Sequence, residues 1–212
     1  MIERILPPGV ATAAAYHDPP EAALLPGEET ALARAVEKRR LEFTTVRWCA
    51  RRALADLGLP PVPIMPGERG APRWPDGVVG SMTHCDGYRA AAIAKAGDML
   101  TLGIDAEPHG PLPEGVLDAI AREEELPLLD ELTRASPDVH WDRLLFCAKE
   151  SVYKAWFPVA RRWLGFEDAT LTLEPDGTFT AKVLVPDAPF TGFTGRWTIT
   201  DGLIATAIAV PA

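Results

Sequence analysis

Cysteine is scarce in this sequence: Cys49, Cys85 and Cys147 are the only three among 212 residues, and no two of them form a C-x-x-C pair. An odd number of widely spaced cysteines argues against a zinc site and against a disulfide framework. Long apolar runs are missing too, because the longest, residues 203–210, is far shorter than the ~20 residues of a transmembrane helix. No basic segment followed by an apolar one marks a secretory signal. These absences favour a cytoplasmic protein that does not enter a membrane.

Positive charge is in deficit, since 21 Lys and Arg against 30 Asp and Glu give a formal net charge of −9. Such a surface disfavours general attraction to nucleic acid or anionic lipid, so neither is expected as a partner. Residues 29–57 are an exception, because they hold seven basic and four acidic residues and carry a net charge of +3. This local basic cluster indicates a site for a discrete anion; the alternative is a solvated basic helix face.

Hydrophobic periodicity predicts groups of helices and strands in alternation. Helices are predicted over residues 30–57 and 114–121 and from Trp141 to a stop before Pro158, and residues 123–131 are either helix or mobile loop. Strands are predicted at residues 78–83, 88–94, 100–107, 169–173, 179–185, 195–200 and 204–210. Because strands follow one another without intervening helices, we expect antiparallel sheets and the α+β class. Two similar halves, residues 1–106 and 107–212, are expected to form one compact unit.

Two acidic residues stand near the end of the third predicted strand, in the segment LGIDAEP. Asp105 and Glu107 are two positions apart, so they face the same side of a strand at a backbone separation of about 7 Å. Two carboxylates at this spacing can converge on a hard cation such as Mg²⁺. The alternative is a polar strand end that faces water.

The segment FCAKESVYKAW adds three charged residues to a helix that is otherwise apolar. Glu150 can supply a third carboxylate to the same cation, and Lys149 and Lys154 can bind phosphate oxygens around it. The alternative is a solvated helix face, because Glu followed four residues later by Lys is a common surface pair.

The segment SMTHCDG places Thr83 and His84 at the end of a predicted strand. A histidine in this position can be a structural hydrogen bonder, or its ring N–H and the threonine hydroxyl can bind an anion. A Cys–His nucleophile is rejected, since adjacent strand residues such as His84 and Cys85 point to opposite faces.

Taken together, these segments resemble the paired signature of the phosphopantetheinyl transferases. LGIDAEP matches G-[IV]-D-x-E, and FCAKESVYKAW, some forty residues later, matches [FW]-x-x-K-E-[AS]-x-x-K. The segment from residue 24 to residue 54 and the segment GSMTHCDGYRAAAIA are also similar to the family, in the family's order. The resemblance covers residues 24–170 and is to the long, pseudo-dimeric class. It implies two similar helix-plus-antiparallel-sheet halves with the active site between them.

The resemblance also implies the reaction and the residues that perform it. The phosphopantetheine arm of coenzyme A moves to a serine of an apo acyl or peptidyl carrier protein, and adenosine 3′,5′-bisphosphate leaves. Asp105, Glu107 and Glu150 are expected to hold Mg²⁺, with Mn²⁺ as the alternative ion, and Glu150 and Lys154 are the expected catalytic residues. The residues expected to bind coenzyme A are Arg39, Arg47, Arg69, Thr83, His84, Asp105, Lys149 and Lys154.

Two other functional classes use the same residue types. A metal-dependent phosphodiesterase or nuclease would need the carboxylates, although the acidic surface argues against a polymer substrate. A non-catalytic nucleotide-binding module would not need Glu150.

A monomer is expected, with a carrier-docking surface at Arg161, Arg162 and Trp163, because aromatic and arginine side chains dominate the energy of protein interfaces.

Overall fold

A computed structural model describes all residues from 1 to 212 and confirms the α+β class. The helices are α1 (Glu37–Asp56), α2 (Val116–Ile120), α3 (Leu126–Ala135) and α4 (Trp141–Ala160). The strands are β1 (Ala11–Ala15), β2 (Val78–Cys85), β3 (Tyr88–Lys95), β4 (Met99–Pro108), β5 (Ala169–Leu173), β6 (Thr178–Val183), β7 (Gly192–Thr200) and β8 (Leu203–Pro211). No helix combines the length and the apolar character needed to cross a membrane.

The strands form two antiparallel sheets, one of three strands in the order β1-β3-β2 and one of five in the order β4-β8-β7-β6-β5. Each sheet carries one helix of 20 residues: α1 packs on β1 and β3, and α4 packs on β4 and β8. Because β4 pairs with β8, it belongs to the second sheet. The boundary between the two sheets therefore lies between Lys95 and Met99, earlier in the chain than the expected division after residue 106.

The two sheets meet along β2 and β4. There, hydrogen bonds from backbone N–H groups to side-chain hydroxyls take the place of the backbone–backbone bonds that usually join neighbouring strands. The backbone N–H of Ile104 donates to Ser81 Oγ, and that of Ala106 donates to Thr83 Oγ1, both at 3.0 Å. Both pairs advance by two residues in the same direction, so the two strands run side by side and parallel. We call this contact the hydroxyl seam, and it fixes the position of the second half against the first.

Helix α4 buries the apolar stripe that its sequence predicts, including Trp141, Leu145 and Val152. Its end differs from the prediction, because the helix continues through Pro158 to Ala160. A proline inside a helix lacks the N–H that bonds to the carbonyl four residues earlier, and its ring crowds that carbonyl; here only two helical residues follow Pro158. The helix then ends at Arg161, whose φ of +51° is left-handed and whose N–H donates to Phe157 O at 3.0 Å.

The predicted helix over residues 30–57 is also wrong at its start. Residues Glu28–Leu32 form a separate 3₁₀ turn, and α1 begins only after Val36, whose backbone is extended and whose side chain is 72% exposed. Arg40 on α1 donates to the carbonyls of Leu32 and Ala35. These bonds satisfy carbonyls that a continuous helix would have satisfied itself.

Candidate active site

A cleft of about 790 Å³ lies where α1, the loop from residue 66 to residue 74, strand β2 and helix α4 meet. Both halves of the molecule contribute to its walls. Most of the charged residues predicted for the site line it, and these are Arg39, Arg47, Arg69, His84, Glu150, Lys154 and Arg161.

Asp105 lies at the base of the site, on β4, with only 5% of its surface exposed. Its Oδ1 accepts hydrogen bonds from Thr83 Oγ1 at 3.0 Å and from Lys154 Nζ at 2.6 Å. Its other oxygen, Oδ2, is buried without a hydrogen-bond partner in the protein. A buried carboxylate oxygen without a partner is costly, and a bound ligand or cation would satisfy it.

Glu107 and Glu150 both lie close enough to Asp105 for its negative charge to act on them. Burial raises the pKa of each glutamate, and the charge of Asp105 raises both pKa values further. A cation partly compensates Glu107, whose Oε2 accepts from Arg143 Nη1 at 3.1 Å. The charge of Asp105 thus acts on two other carboxylates at the meeting point of β4 and α4, which favours the binding of a positive ion.

The donor set fits Mg²⁺ chemically, since it consists of hard carboxylate oxygens and one of them lacks a partner. The three carboxylates do not form a closed cluster, however, because no group of three His, Cys, Asp or Glu side chains stands in a ligating arrangement. Instead, Lys154 forms an ion pair with Oδ1 of Asp105, and Arg143 forms one with Oε2 of Glu107.

Lys154 remains a cation at the base of the cleft. Burial alone would lower the pKa of its ammonium, but the attraction and hydrogen bond of Asp105, together with Glu150, outweigh burial and raise it. Lys154 lines the cleft four residues after Glu150, so the two side chains share one face of α4.

Arg47 is a buried cation in the wall of the cleft and has no carboxylate in direct contact. Its Nε donates to Ile64 O at 2.7 Å, and its guanidinium lies 3.2 Å from the centroid of the Phe43 ring. Burial lowers its pKa to about 10, so it remains charged at neutral pH. Its Nη2 has no partner in the protein. A buried guanidinium with a free donor beside a cleft is suited to bind an anion.

His84 and Arg39 face each other across β2 and α1. Arg39 Nη1 is hydrogen-bonded to His84 Nε2, and Glu42 Oε2 lies 3.9 Å from both side chains. Burial lowers the pKa of His84, and the charge of Arg39 lowers it further. The ring is therefore neutral at neutral pH, and its Nε2 acts as the acceptor for Arg39, which leaves Nδ1 as the ring donor.

Arg69 and Trp163 come from opposite halves and meet at the mouth of the cleft. The guanidinium of Arg69 lies 5.1 Å from the centroid of the Trp163 ring, which is 55% exposed. The φ of Arg69 is +51°, an uncommon backbone conformation for a residue with a side chain. Of the other two predicted docking residues, Arg161 lines the cleft and Arg162 donates to Pro186 O at 2.9 Å.

Sequence comparison shows the family of this chain. The family model of the 4′-phosphopantetheinyl transferase N-terminal domain matches residues 27–94, and that of the 4′-phosphopantetheinyl transferase superfamily matches residues 101–207. The chain belongs to the 4′-phosphopantetheinyl transferase family. The gap between the two matches falls at the start of β4, beside the boundary between the two sheets.

Relatives of this transferase match it over nearly its whole length. It is 55% identical to the 4′-phosphopantetheinyl transferase Svp of Streptomyces mobaraensis, over 100% of this chain and 90% of the relative. It is 52% identical to the transferase Npt of Nocardia iowensis over 99% of both chains. Enterobactin synthase component D of Salmonella typhi is more distant, at 32% identity over 64% of this chain and 55% of that protein. Members of the family transfer phosphopantetheine from coenzyme A to carrier proteins, and this chain is such a transferase.

Lys149 is a predicted coenzyme A ligand that does not line the main cleft. Its ammonium forms a 2.8 Å ion pair with Glu125, and both side chains are almost fully buried. It also donates to the carbonyls of Phe166 and Ala169. These bonds hold α4 against the chain that leads into β5, and the contact of Lys149 with coenzyme A stays a prediction. The sequence indicates that Lys149 and Glu150 have different surroundings, because consecutive residues lie about 100° apart around a helix and their side chains point in different directions.

Tyr153 lies on α4 beside the predicted site residues. It lines the main cleft and a second cavity of about 160 Å³ beside Glu150, and its hydroxyl is buried without a hydrogen-bond partner. It lies three residues after Glu150 and so on the same side of α4. The transferase thus presents one unsatisfied hydroxyl next to its proposed catalytic carboxylate.

Proposed function

We propose that Asp105, Glu107 and Glu150 hold Mg²⁺ on the diphosphate of coenzyme A and that Glu150 is the base for the carrier serine. The buried, unpartnered Oδ2 of Asp105 carries this proposal. The repulsion that raises the pKa of Glu107 and Glu150 supports it, because a bound cation relieves that repulsion. Bound Mg²⁺ would neutralise charge on the diphosphate during transfer.

The side chains of the cleft provide the remaining steps. The serine hydroxyl attacks the phosphorus that bears the pantetheine arm, and the bond to the adenosine 3′,5′-bisphosphate oxygen breaks. Glu150 accepts the serine proton, directly or through a water molecule, which agrees with a carboxylate whose pKa is raised. Lys154 holds its charge beside Asp105 and stabilises the negative charge on the leaving phosphate.

The basic end of the cleft would bind the nucleotide. Arg47 presents its free Nη2, Arg39 lies on the same helix and His84 lies on β2, so the three can surround the 3′-phosphate. Arg69 lies at the mouth, within reach of the nucleotide. Thr83 acts indirectly, since its hydroxyl is committed to Asp105 and to the backbone of Ala106.

The carrier protein would dock beside the C-terminal end of α4. Arg161, Arg162 and the exposed Trp163 follow the catalytic helix directly and form a small apolar and basic surface in an acidic protein. Both halves of one chain line the cleft, and in line with the resemblance to the long, pseudo-dimeric class we propose a monomer as the active form.

Intact-mass measurement of apo carriers tests this assignment. The transferase is incubated with coenzyme A, a titration of Mg²⁺ or Mn²⁺, and apo carriers of fatty-acid, polyketide and peptide-synthetase type. We expect a mass gain of one phosphopantetheine, and adenosine 3′,5′-bisphosphate release that requires both the metal and a carrier. Nucleotide release without a carrier would indicate a phosphodiesterase instead.

Substitution of the carboxylates tests their roles. Asp105→Asn, Glu107→Gln and Glu150→Gln should each reduce transfer by about 100-fold or more and weaken the response to metal. Asp118→Asn, on the exposed face of α2, is the control and should be inert. Full activity of a folded variant across the metal titration would remove that carboxylate from the site.

A further inference from the structure

Glu28 is a charged residue with no exposed surface, far along the chain from the signature segments. Its Oε1 accepts hydrogen bonds from Arg51 Nη1 at 2.9 Å and from the backbone N–H of Ile64 at 2.8 Å. Its Oε2 accepts from the backbone N–H of Leu25, also at 2.8 Å. One carboxylate therefore ties together α1, the segment before it and the segment after it.

The peptide groups of Ile64 connect Glu28 to the nucleotide end of the cleft. The N–H of Ile64 donates to Glu28, and its C=O accepts from Arg47 Nε at 2.7 Å. Ile64 is fully buried, so it has little freedom to move away from either partner. The loop that lines the cleft begins at the next residues, with Arg73 N–H donating to Met65 O at 2.8 Å.

Electrostatics link the same residues. Burial lowers the pKa of Arg47, the positive charges of Arg39 and Arg51 lower it too, and Glu28 is the carboxylate that opposes them. Arg47 has no ion pair of its own, so Glu28 compensates it from the buried side while the side facing the cleft lacks a counter-charge. This arrangement leaves one free donor, Nη2, for a ligand.

We infer that Glu28 is a positioning residue for the nucleotide of coenzyme A, acting through Ile64 on the Arg47 guanidinium. The inference rests on the proposed role of Arg47 at the 3′-phosphate. A purely structural carboxylate would stabilise the fold without favouring one nucleotide over another. A positioning carboxylate should affect the discrimination between coenzyme A and dephospho-coenzyme A, which lacks the 3′-phosphate.

Glu28→Gln is the first variant to test. Whichever way its amide lies, a donor then faces the N–H of Ile64 or of Leu25, and the compensating charge is lost. Calorimetry should show the Kd of coenzyme A rising about five- to tenfold and that of dephospho-coenzyme A changing less than twofold. Turnover at saturating coenzyme A should remain within about twofold of the unmodified transferase. Equal losses for the two ligands would overturn the inference.

Glu125→Gln is the matched control, because Glu125 is an equally buried carboxylate that also accepts a backbone N–H, that of Leu171, but has no link to Arg47. In Glu125→Gln, the ratio of the affinities for coenzyme A and dephospho-coenzyme A should stay unchanged. If Glu28→Gln does not fold, Glu28→Asp keeps the charge and withdraws it from Ile64 by one methylene. It should shift the ratio in the same direction, and an unchanged ratio in folded Glu28→Asp would also overturn the inference.

A double-mutant cycle separates this inference from the proposal on which it rests. Arg47→Ala should itself weaken coenzyme A more than dephospho-coenzyme A, and Glu28→Gln should then have no further effect on coenzyme A in that background. Additive losses in the double variant would overturn the positioning role while the role of Arg47 stands. Equal losses for both ligands in Arg47→Ala would overturn the 3′-phosphate assignment, and the inference with it.

Discussion

His84 is a residue whose charge depends on what occupies the cleft. In the free transferase, burial and Arg39 lower its pKa, and Glu42 only partly opposes them. A 3′-phosphate against the ring would raise the pKa, because an opposite charge favours the imidazolium. We therefore expect proton uptake at His84 on binding. The affinity for coenzyme A should increase as the pH falls from the raised pKa of the complex toward the lowered pKa of the free protein.

Calorimetry in two buffers of different ionisation enthalpy measures this proton uptake directly. The uptake should disappear in His84→Ala and should be absent when dephospho-coenzyme A is the ligand. The comparison with His84→Ala removes the contribution of the phosphate, which itself titrates near pH 6. Identical proton uptake in the variant would assign the linkage to another group.

Lys149 and Lys154 are five residues apart and should respond differently to the same substitution. Lys149→Met leaves Glu125 buried without its cation, so it should reduce the free energy of unfolding by about 3–5 kcal/mol. Lys149→Met protein that remains folded should bind coenzyme A normally. Lys154→Met should instead abolish most transfer, since its ammonium lies in the cleft beside Asp105. Denaturant titration and transfer assays separate the two effects.

The double variant Lys149→Met, Glu125→Leu is the control for this prediction. Replacing both members of a buried ion pair by apolar groups is often neutral, so the double variant should recover much of the lost stability. If the double variant is stable but binds coenzyme A more weakly, then Lys149 belongs to the binding site.

The site residues that sequence could predict are those whose roles depend on residue type and local spacing. Asp105, Glu150 and Lys154 were predicted in this way, and the structure brings all three together. The ion pair of Lys149 was not predicted, because its partner, Glu125, comes from a separate helix start that no local pattern connects to it. Glu28 was missed for the same reason, since its partner Ile64 lies 36 residues away.

At the scale of elements, Gly103 determines how closely β4 and α4 approach. A Cβ at this position would lie 2.0 Å from the carbonyl oxygen of Ser151, within the backbone of α4. The glycine in the signature segment LGIDAEP is thus explained by packing, because only glycine permits this contact. The same contact sets the distance between Asp105 on the strand and Lys154 on the helix.

Gly103→Ala should therefore harm both stability and activity. The helix must move away from the strand, at a cost of roughly 1–3 kcal/mol or more, and the carboxylates on the two elements lose their alignment. Urea denaturation and transfer assays measure the two losses. Gly97→Ala is the matched control, since a Cβ at Gly97 meets no other atom within 4 Å. Normal transfer by Gly103→Ala would show that the site tolerates a displaced helix.

The elements themselves were largely predictable, because most strands and helices have a regular apolar pattern. All seven predicted strands exist, with ends that differ by up to three residues. Strand β1, with the sequence ATAAA, was missed because its small residues show no alternation, and only pairing with β3 makes it a strand. The membership of β4 in the second sheet could not be predicted, because pairing of β4 with β8 connects residues about a hundred positions apart.

At the scale of the whole molecule, the net charge of −9 bears on how an acidic carrier protein approaches. Long-range attraction is absent, so docking must depend on a local surface. Arg161→Glu, Arg162→Glu should raise the KM for the carrier several-fold and make it less sensitive to salt, since two favourable charges become unfavourable. The affinity for coenzyme A should change little by comparison.

Arg34→Glu, Arg52→Glu is the control for this charge reversal, because both arginines are solvent-facing or half-buried residues in the other half of the molecule. It makes the same change in net charge, so a similar increase in KM would indicate a general electrostatic effect. An unchanged KM in Arg161→Glu, Arg162→Glu at low salt would place the docking surface elsewhere, and the leucine-rich helix α3 would be the next candidate.

The hydroxyl seam bears on how such a chain can be recombined with its relatives. Two hydroxyl side chains, Ser81 and Thr83, connect the sheets where a strand ladder would need many matched backbone groups. A chimera that joins residues 1–96 of this transferase to the C-terminal half of Svp from Streptomyces mobaraensis needs a compatible β4 opposite these two residues and a matching apolar core, since Ile2 and Tyr88 pack with Leu102 and Ile104. Such a hybrid should fold and transfer phosphopantetheine, and Thr83→Val within it should disrupt both the join and the hydrogen bond to Asp105. Each half could then diversify by exchange, one toward new nucleotide contacts and the other toward new carriers.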